Sequence, residues 1–163
     1  MDTAIERDFA GGRFTFYLPL SAVLAVEKGP LSPHLRVREY PVSMFQIYDE
    51  LSAGIAMDAD GNLVRLPGAR IFAGDLHNIL EQALKAGKSG ERDGETFEVD
   101  GRLANRLVNE QIQASFESCA ILAWDVLNAT IKGIDLKKKD PAPNEPVARS
   151  PSGEGRSSPT VGA

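Results

Sequence analysis

The chain has 163 residues, 42% of them hydrophobic and 25% charged, with a formal net charge of −5, which suits one globular domain with a core of its own. A single cysteine, Cys119, excludes an internal disulfide, and no apolar run approaches the roughly 20 residues that a membrane-spanning helix needs. Residues 1–136 carry 13 Lys and Arg against 20 Asp and Glu, whereas 137–163 carry 5 against 3, so the body is acidic and repels phosphate, which argues against a nucleic-acid partner.

The opening MDTAIERDF has acidic residues and no apolar h-region, so no secretory leader is expected. Phe14, Phe16 and Leu18 alternate with Arg13, Thr15 and Tyr17, the period of a half-buried strand. Gly11 and Gly12 permit a tight reversal before them, and the spacing predicts a β-hairpin over 4–18. Pro19 suits a first helical turn, Leu20, Val23 and Leu24 form an apolar stripe, and Gly29 stops a helix over 19–28. Pro30, Pro33 and Pro41 break regular structure over 29–41, where Leu35 and Val37 admit at most a short edge strand.

Ser43 caps a helix over 43–53 carrying Met44, Phe45, Ile47, Tyr48 and Leu51, with Asp49 and Glu50 turned outwards. A second hairpin is expected over 55–66, turning at Asp58, Asp60, Gly61 and Asn62. Asp75 opens a helix over 75–86 with Leu76, Ile79, Leu80, Ala83 and Leu84 on one face, Glu81 and Lys85 paired four apart, and Gly87 at its end. The segment 88–101 is polar and glycine-rich and is expected to be mobile, with a small strand over 96–99.

The strongest periodicity runs over 103–132. Ala104, Val108, Ile112, Phe116, Cys119, Ala120, Ala123, Leu127 and Ile131 fall on one helical side, with Asp100 as N-cap and Gly133 as terminator. Ala114 and Ser115 mark a break or a bend. Beyond it Ile121, Leu122, Trp124 and Val126 add apolar side chains outside the stripe, leaving this segment either the centre of the core or a face kept for a partner. An isolated hairpin is marginally stable, so the N-terminal phenylalanines and the 19–28 helix are expected to pack on it. After Asp140 five prolines fall among Ser and Gly, with too few large apolar groups to offset chain ordering. The fold predicted is α+β, mainly α: one domain over 1–136, with the N-terminal hairpin packed on a small helical bundle, and a disordered tail over 137–163.

Chemistry-bearing side chains are few. His34, His77 and Cys119 are the only strong candidates for metal ligation or for a nucleophile and base, and the spacing reads as surface histidines and a core cysteine. Asp58, Asp60 and Asn62 look like the start of a calcium loop. Yet Gly61 stands fourth rather than sixth and Ala69 holds the twelfth position, so the segment reads as a turn. Gly87, Lys88 and Ser89 follow a helix rather than open one, the wrong polarity for a phosphate loop. Glu117 and Asp125 are about two turns apart, too far to share a proton. No catalytic, metal or cofactor site is read, and no enzyme is expected.

Three blocks, FAGGRFTFYLPLSAVLAVEKG, FAGDLHNILEQALKAG and LANRLVNEQIQASFESCAILAWDVLNATIKG, resemble in order and spacing the small tail-assembly-chaperone family of gene transfer agents and long-tailed phages, also described as a tail tube family. The resemblance covers roughly residues 4–134. It implies a protein of the bacterial cytoplasm that coats the helical, aggregation-prone tape-measure protein and assists tail tube polymerisation. Further partners it implies are the tail tube protein, other copies of the chain, and a longer form made by ribosomal frameshifting, for which Lys138 and Lys139 alone suggest a slippery run of adenines. Phe116, Ile121, Leu122, Trp124 and Leu127 are then the expected core or contact residues. The alternatives are a structural tube or connector component of the virion tail, and a small helical adaptor whose Pro-rich tail is bound by a partner.

Overall fold

In the computed structural model, which describes residues 3–133, the first hairpin forms as its alternation predicts. Strands β1 (Ile5–Phe9) and β2 (Gly12–Phe16) pair antiparallel with Phe9 opposite Gly12. The reversal is made by Ala10 and Gly11, both at positive φ, rather than by the paired glycines. Phe14 and Phe16 are buried, and Phe9 meets both rings edge to face at centroid distances of 5.9 and 5.5 Å.

The chain then folds as α1 (Leu20–Lys28), a 3-10 turn over Pro33–Leu35, α2 (Met44–Ala53), the small hairpin β3 (Ile55–Met57) and β4 (Leu63–Arg65), and α3 (Ala73–Gly87). Next come β5 (Ser89–Arg92), β6 (Glu95–Glu98), α4 (Gly101–Ala114) and α5 (Phe116–Lys132). This is an α+β fold, as expected. The proline-rich segment holds the 3-10 turn in place of an edge strand, because Pro33 sets a helical φ and removes a ladder donor.

The polar segment after α3 is not a loop. It makes a second hairpin, and β5 pairs with β2 through Arg13 opposite Glu91 and Phe14 opposite Gly90. The result is one four-stranded antiparallel sheet in the order β1-β2-β5-β6. Gly90 lies under the Phe14 and Phe97 rings, where an added Cβ would stand 2.7 Å from one and 2.9 Å from the other. Polar residues on the open face of the hairpin hide this role from a hydropathy pattern.

The centre of the fold is α3, and the 103–132 stretch is not. Leu76, Ile79, Leu80, Ala83 and Leu84, the stripe read from the sequence, are all completely buried, each large one contributing about 1.5–3 kcal/mol of burial. The sheet lies on α3 through β2, and α1, α4 and α5 pack around the rest of it. The hairpin therefore rests mainly on α3 through β2, where the Tyr17 N–H donates to the Ala83 carbonyl at 3.0 Å, and meets the Cys119–Leu127 segment along β1, through Arg7 and Asp125. A glycine at each end of α3 admits a crossing chain. A Cβ on Gly87 would lie 2.0 Å from the Thr15 carbonyl oxygen, and one on Gly74 would lie 1.9 Å from that of Leu35.

The break at Ser115 divides the long stretch into two helices. Ser115 ends α4 through its N–H to the Gln111 carbonyl and begins α5 by accepting from the Ser118 N–H. Asp100 caps α4 by accepting from the Leu103 N–H at 2.7 Å. The inner faces run as predicted through Ala104 and Val108 and through Cys119, Ala120, Ala123 and Leu127, all buried. The predicted tail, with Lys137, Lys138 and Lys139, lies outside the described residues.

Candidate partner-binding surface

Three regions carry the groups of interest: the outer face of α5, a polar knot at the N-terminal end of α3, and the outer face of α1. On α5 the structure divides the five residues named from the sequence. Leu127 is completely buried and belongs to the core. Trp124 is half-buried; its indole N–H donates to Ser52 Oγ at 2.9 Å, and its ring stacks on Tyr48 at 6.3 Å and 19°. Tyr48 in turn donates to Asn128 Oδ1 at 2.9 Å, so these aromatic rings lock α2 onto α5. Ile121 and Leu122 are half-covered beside β1, where Arg7 Nε meets Asp125 Oδ2 at 2.6 Å. Phe116 alone of the five is exposed, at 40%. Most of the apolar surplus expected outside α5 is thus used up inside the fold.

The polar knot was not foreseen. Arg38 and Tyr40 alternate along the extended segment after the 3-10 turn and reach the same carboxylate, Asp75, from one side. Arg38 forks onto Glu50 at 2.9 and 2.6 Å and also holds Asp75 Oδ2, while the Tyr40 hydroxyl donates to Asp75 Oδ1 at 3.1 Å. The Arg38 hydrogen bond holds the Glu50 carboxyl below its usual value, and burial together with the Asp75 charge pushes the Tyr40 hydroxyl up. Glu50, expected to face outwards, turns to this arginine. Both carboxylates of the knot are engaged, and among the described residues only Arg38 Nε is buried in it without a hydrogen-bond partner, so the knot is a tie between the 36–42 segment, α2 and α3.

Burial raises the Cys119 thiol to about 11, so it is protonated at neutral pH. His34 is exposed beside Ser32 Oγ. His77, expected at the surface, is buried in α3 because the chain packs around that helix on most sides. Its Nδ1 lies 3.4 Å from Glu81 Oε2, and among the described residues neither ring nitrogen has a hydrogen-bond partner. A buried polar group left unpaired costs about 1–3 kcal/mol. His77→Leu is therefore expected to hold or raise the melting temperature in a thermal unfolding scan, and a fall would show that the ring makes a favourable bond. Asp58 Oδ1 accepts from the Asp60 and Asn62 N–H groups, the turn that the spacing suggested. Among the described residues no three His, Cys, Asp or Glu side chains group as metal ligands.

On α1 the structure overturns most of the predicted face. Ala22 and Val26 are buried, and the Asn78 side-chain amide donates to the Ala25 and Val26 carbonyls at 3.3 and 3.4 Å. Of the predicted stripe only Val23 packs against the core, while Leu20 is 74% exposed and Leu24 49%. Leu31, just after the helix, is 97% exposed. The Val42 N–H donates to the Glu27 carbonyl and the Met44 N–H to Glu27 Oε1, which sets the start of α2 beside the end of α1. Phe45, expected on the buried side of α2, is 65% exposed there because Met44 and Ile47 already fill the inner side.

Two grooves lie along α1. A larger one of about 760 Å³ runs between α1 and the C-terminal end of α3, past Tyr17, Ala25 and Ala86, with Lys85 and Lys88 on its lining. A smaller one of about 520 Å³ lies on the other side, among Leu24, Lys28, Tyr40 and Pro41. Exposed large apolar side chains beside grooves are what a protein-binding surface presents. No signal in the α1 sequence tells its inner from its outer face, because both are apolar.

No protein-family model, no curated protein and no solved structure matches this chain. No helix among the described residues is long and apolar enough to cross a membrane.

Proposed function

We propose that this protein is a tail assembly chaperone of the phage and gene transfer agent type, which binds the tape-measure protein and assists tail tube polymerisation around it. One observation carries the reading: Leu20, Leu24, Leu31 and Phe45 stand exposed around α1 on a body whose first 136 residues hold 13 basic against 20 acidic side chains. Such a surface suits a binder that covers apolar helix on a partner while its acidic exterior keeps the complex in solution. The resemblance of the three sequence blocks supplies the partner. Leu127, buried in the core, and Trp124, held between Ser52 and Tyr48, leave the contact set, and the α1 surface joins Phe116, Ile121 and Leu122 in it.

The test is co-expression with the tape-measure protein of the same gene cluster. The tape-measure protein is expected to move from the pellet to the soluble fraction and to co-purify with this chain; its remaining insoluble would sink the reading. Mass spectrometry of purified particles then separates a chaperone, absent from them, from a structural tail component present in fixed stoichiometry.

A further inference from the structure

We infer that the α1 surface is a seat for one amphipathic partner helix whose apolar stripe is bordered by carboxylates. This deepens the chaperone reading and rests on it for the natural source of that helix. The helix face is defined by Leu20 and Leu24, four apart and both exposed, with Leu24 on the lining of the smaller groove and the larger groove following the next face of α1, past Ser21, Ala22 and Ala25. A helix laid against α1 would press apolar residues spaced three and four apart onto the leucines and into the larger groove.

Charge selects the occupant. The residues that line the larger groove include Lys85 and Lys88 and no carboxylate. Lys28 lines the smaller groove, whose one acid, Glu27, already accepts from the Met44 N–H. Of the four lysines among residues 3–133, namely 28, 85, 88 and 132, three therefore border α1, on a body that is acidic elsewhere. Lys85 and Lys88 are both exposed, so their ammonium groups are free to meet partner carboxylates. A lysine-bordered apolar seat favours an acidic helix and repels a basic one, with the discrimination weakening as salt rises. A second copy of this chain is disfavoured as occupant, since its own α1 would bring like charges together.

The test uses the full-length protein and two synthetic 20-residue helical peptides with the same leucine stripe, one bordered by glutamates and one by lysines. Titration calorimetry is expected to show the Glu-bordered peptide binding about tenfold or more tighter than the Lys-bordered one at low salt. Leu20→Lys with Leu24→Lys should abolish binding of both. Lys85→Glu with Lys88→Glu, surface changes that leave the fold intact by circular dichroism, should invert the preference. Equal binding of the two peptides, or binding unchanged by the leucine substitutions, overturns the inference. So does light scattering that shows a dimer which the leucine substitutions make monomeric, because the occupant is then a second copy. Displacement of the Glu-bordered peptide by an added peptide of residues 134–163 overturns it as well. If the tape-measure protein is solubilised but the Glu-bordered peptide does not bind, the seat fails and the chaperone reading stands. Peptide binding without tape-measure solubilisation gives the reverse.

Discussion

Gly87→Ala is expected to destabilise the protein by about 2–3 kcal/mol, although alanine is the better helix former by about 1 kcal/mol. The position is the last residue of α3, and its φ is not positive, so no conformational strain enters. The new methyl would stand 2.0 Å from the Thr15 carbonyl oxygen and 2.7 Å from its carbon, both backbone atoms that no rotamer change can move. Either β2 lifts from α3 or the end of the helix unwinds. Both routes strain the Tyr17–Ala83 hydrogen bond and the packing of Phe16 beneath it, and overpacking of this kind costs about 1–3 kcal/mol before the lost bond is added. At about 3 °C per kcal/mol for a domain of this size, the melting temperature should fall by about 6–9 °C. Gly101→Ala is the control, because its Cβ would meet only Lys85 methylenes at 3.7 Å; it should melt at or slightly above the parent. A Gly87→Ala protein that melts with the parent would mean that β2 does not sit on α3 as described.

Arg38→Ala should cost about 3 kcal/mol, toward the lower end for a broken buried ion pair because Glu50 retains access to water. The guanidinium satisfies Glu50 twice and Asp75 once, and Asp75 is buried. Its loss leaves that carboxylate with only the Tyr40 hydroxyl. The pH dependence follows from the direction of each shift. Glu50 titrates below its unfolded value in the folded chain, so its stabilisation is fully present above the ordinary carboxylate range and is lost as the pH falls through the lowered value. Tyr40 is raised, so its share is present below its unfolded value and is lost as the pH rises through the folded one. Denaturant midpoints for parent and variant should therefore differ most near neutrality and converge in acid. A difference that does not change with pH would show that the arginine acts through packing alone. Replacing Arg38 by Met together with Asp75→Asn should recover part of the loss, since no bare carboxylate then remains buried.

What the sequence determined by itself was local order with a strong period. The buried stripe of α3 from Leu76 to Leu84, the hairpin alternation at Phe14 and Phe16, the caps Ser43 and Asp100, and the break at Ser115 each depend on neighbours within a few residues, and each formed as read. Two further outcomes belonged to the tertiary structure. Which face turns inward on α1 was decided by contact with α3, which covers Ala22 and Val26 and leaves Leu20 and Leu24 exposed. Which helix stands at the centre was decided by pairing across long separations: β2 with β5, and Arg38 and Tyr40 with Asp75. Periodicity records that a side chain is apolar; only the partner brought to it by the fold sets whether it ends in the core, like Leu127, or in water, like Leu20.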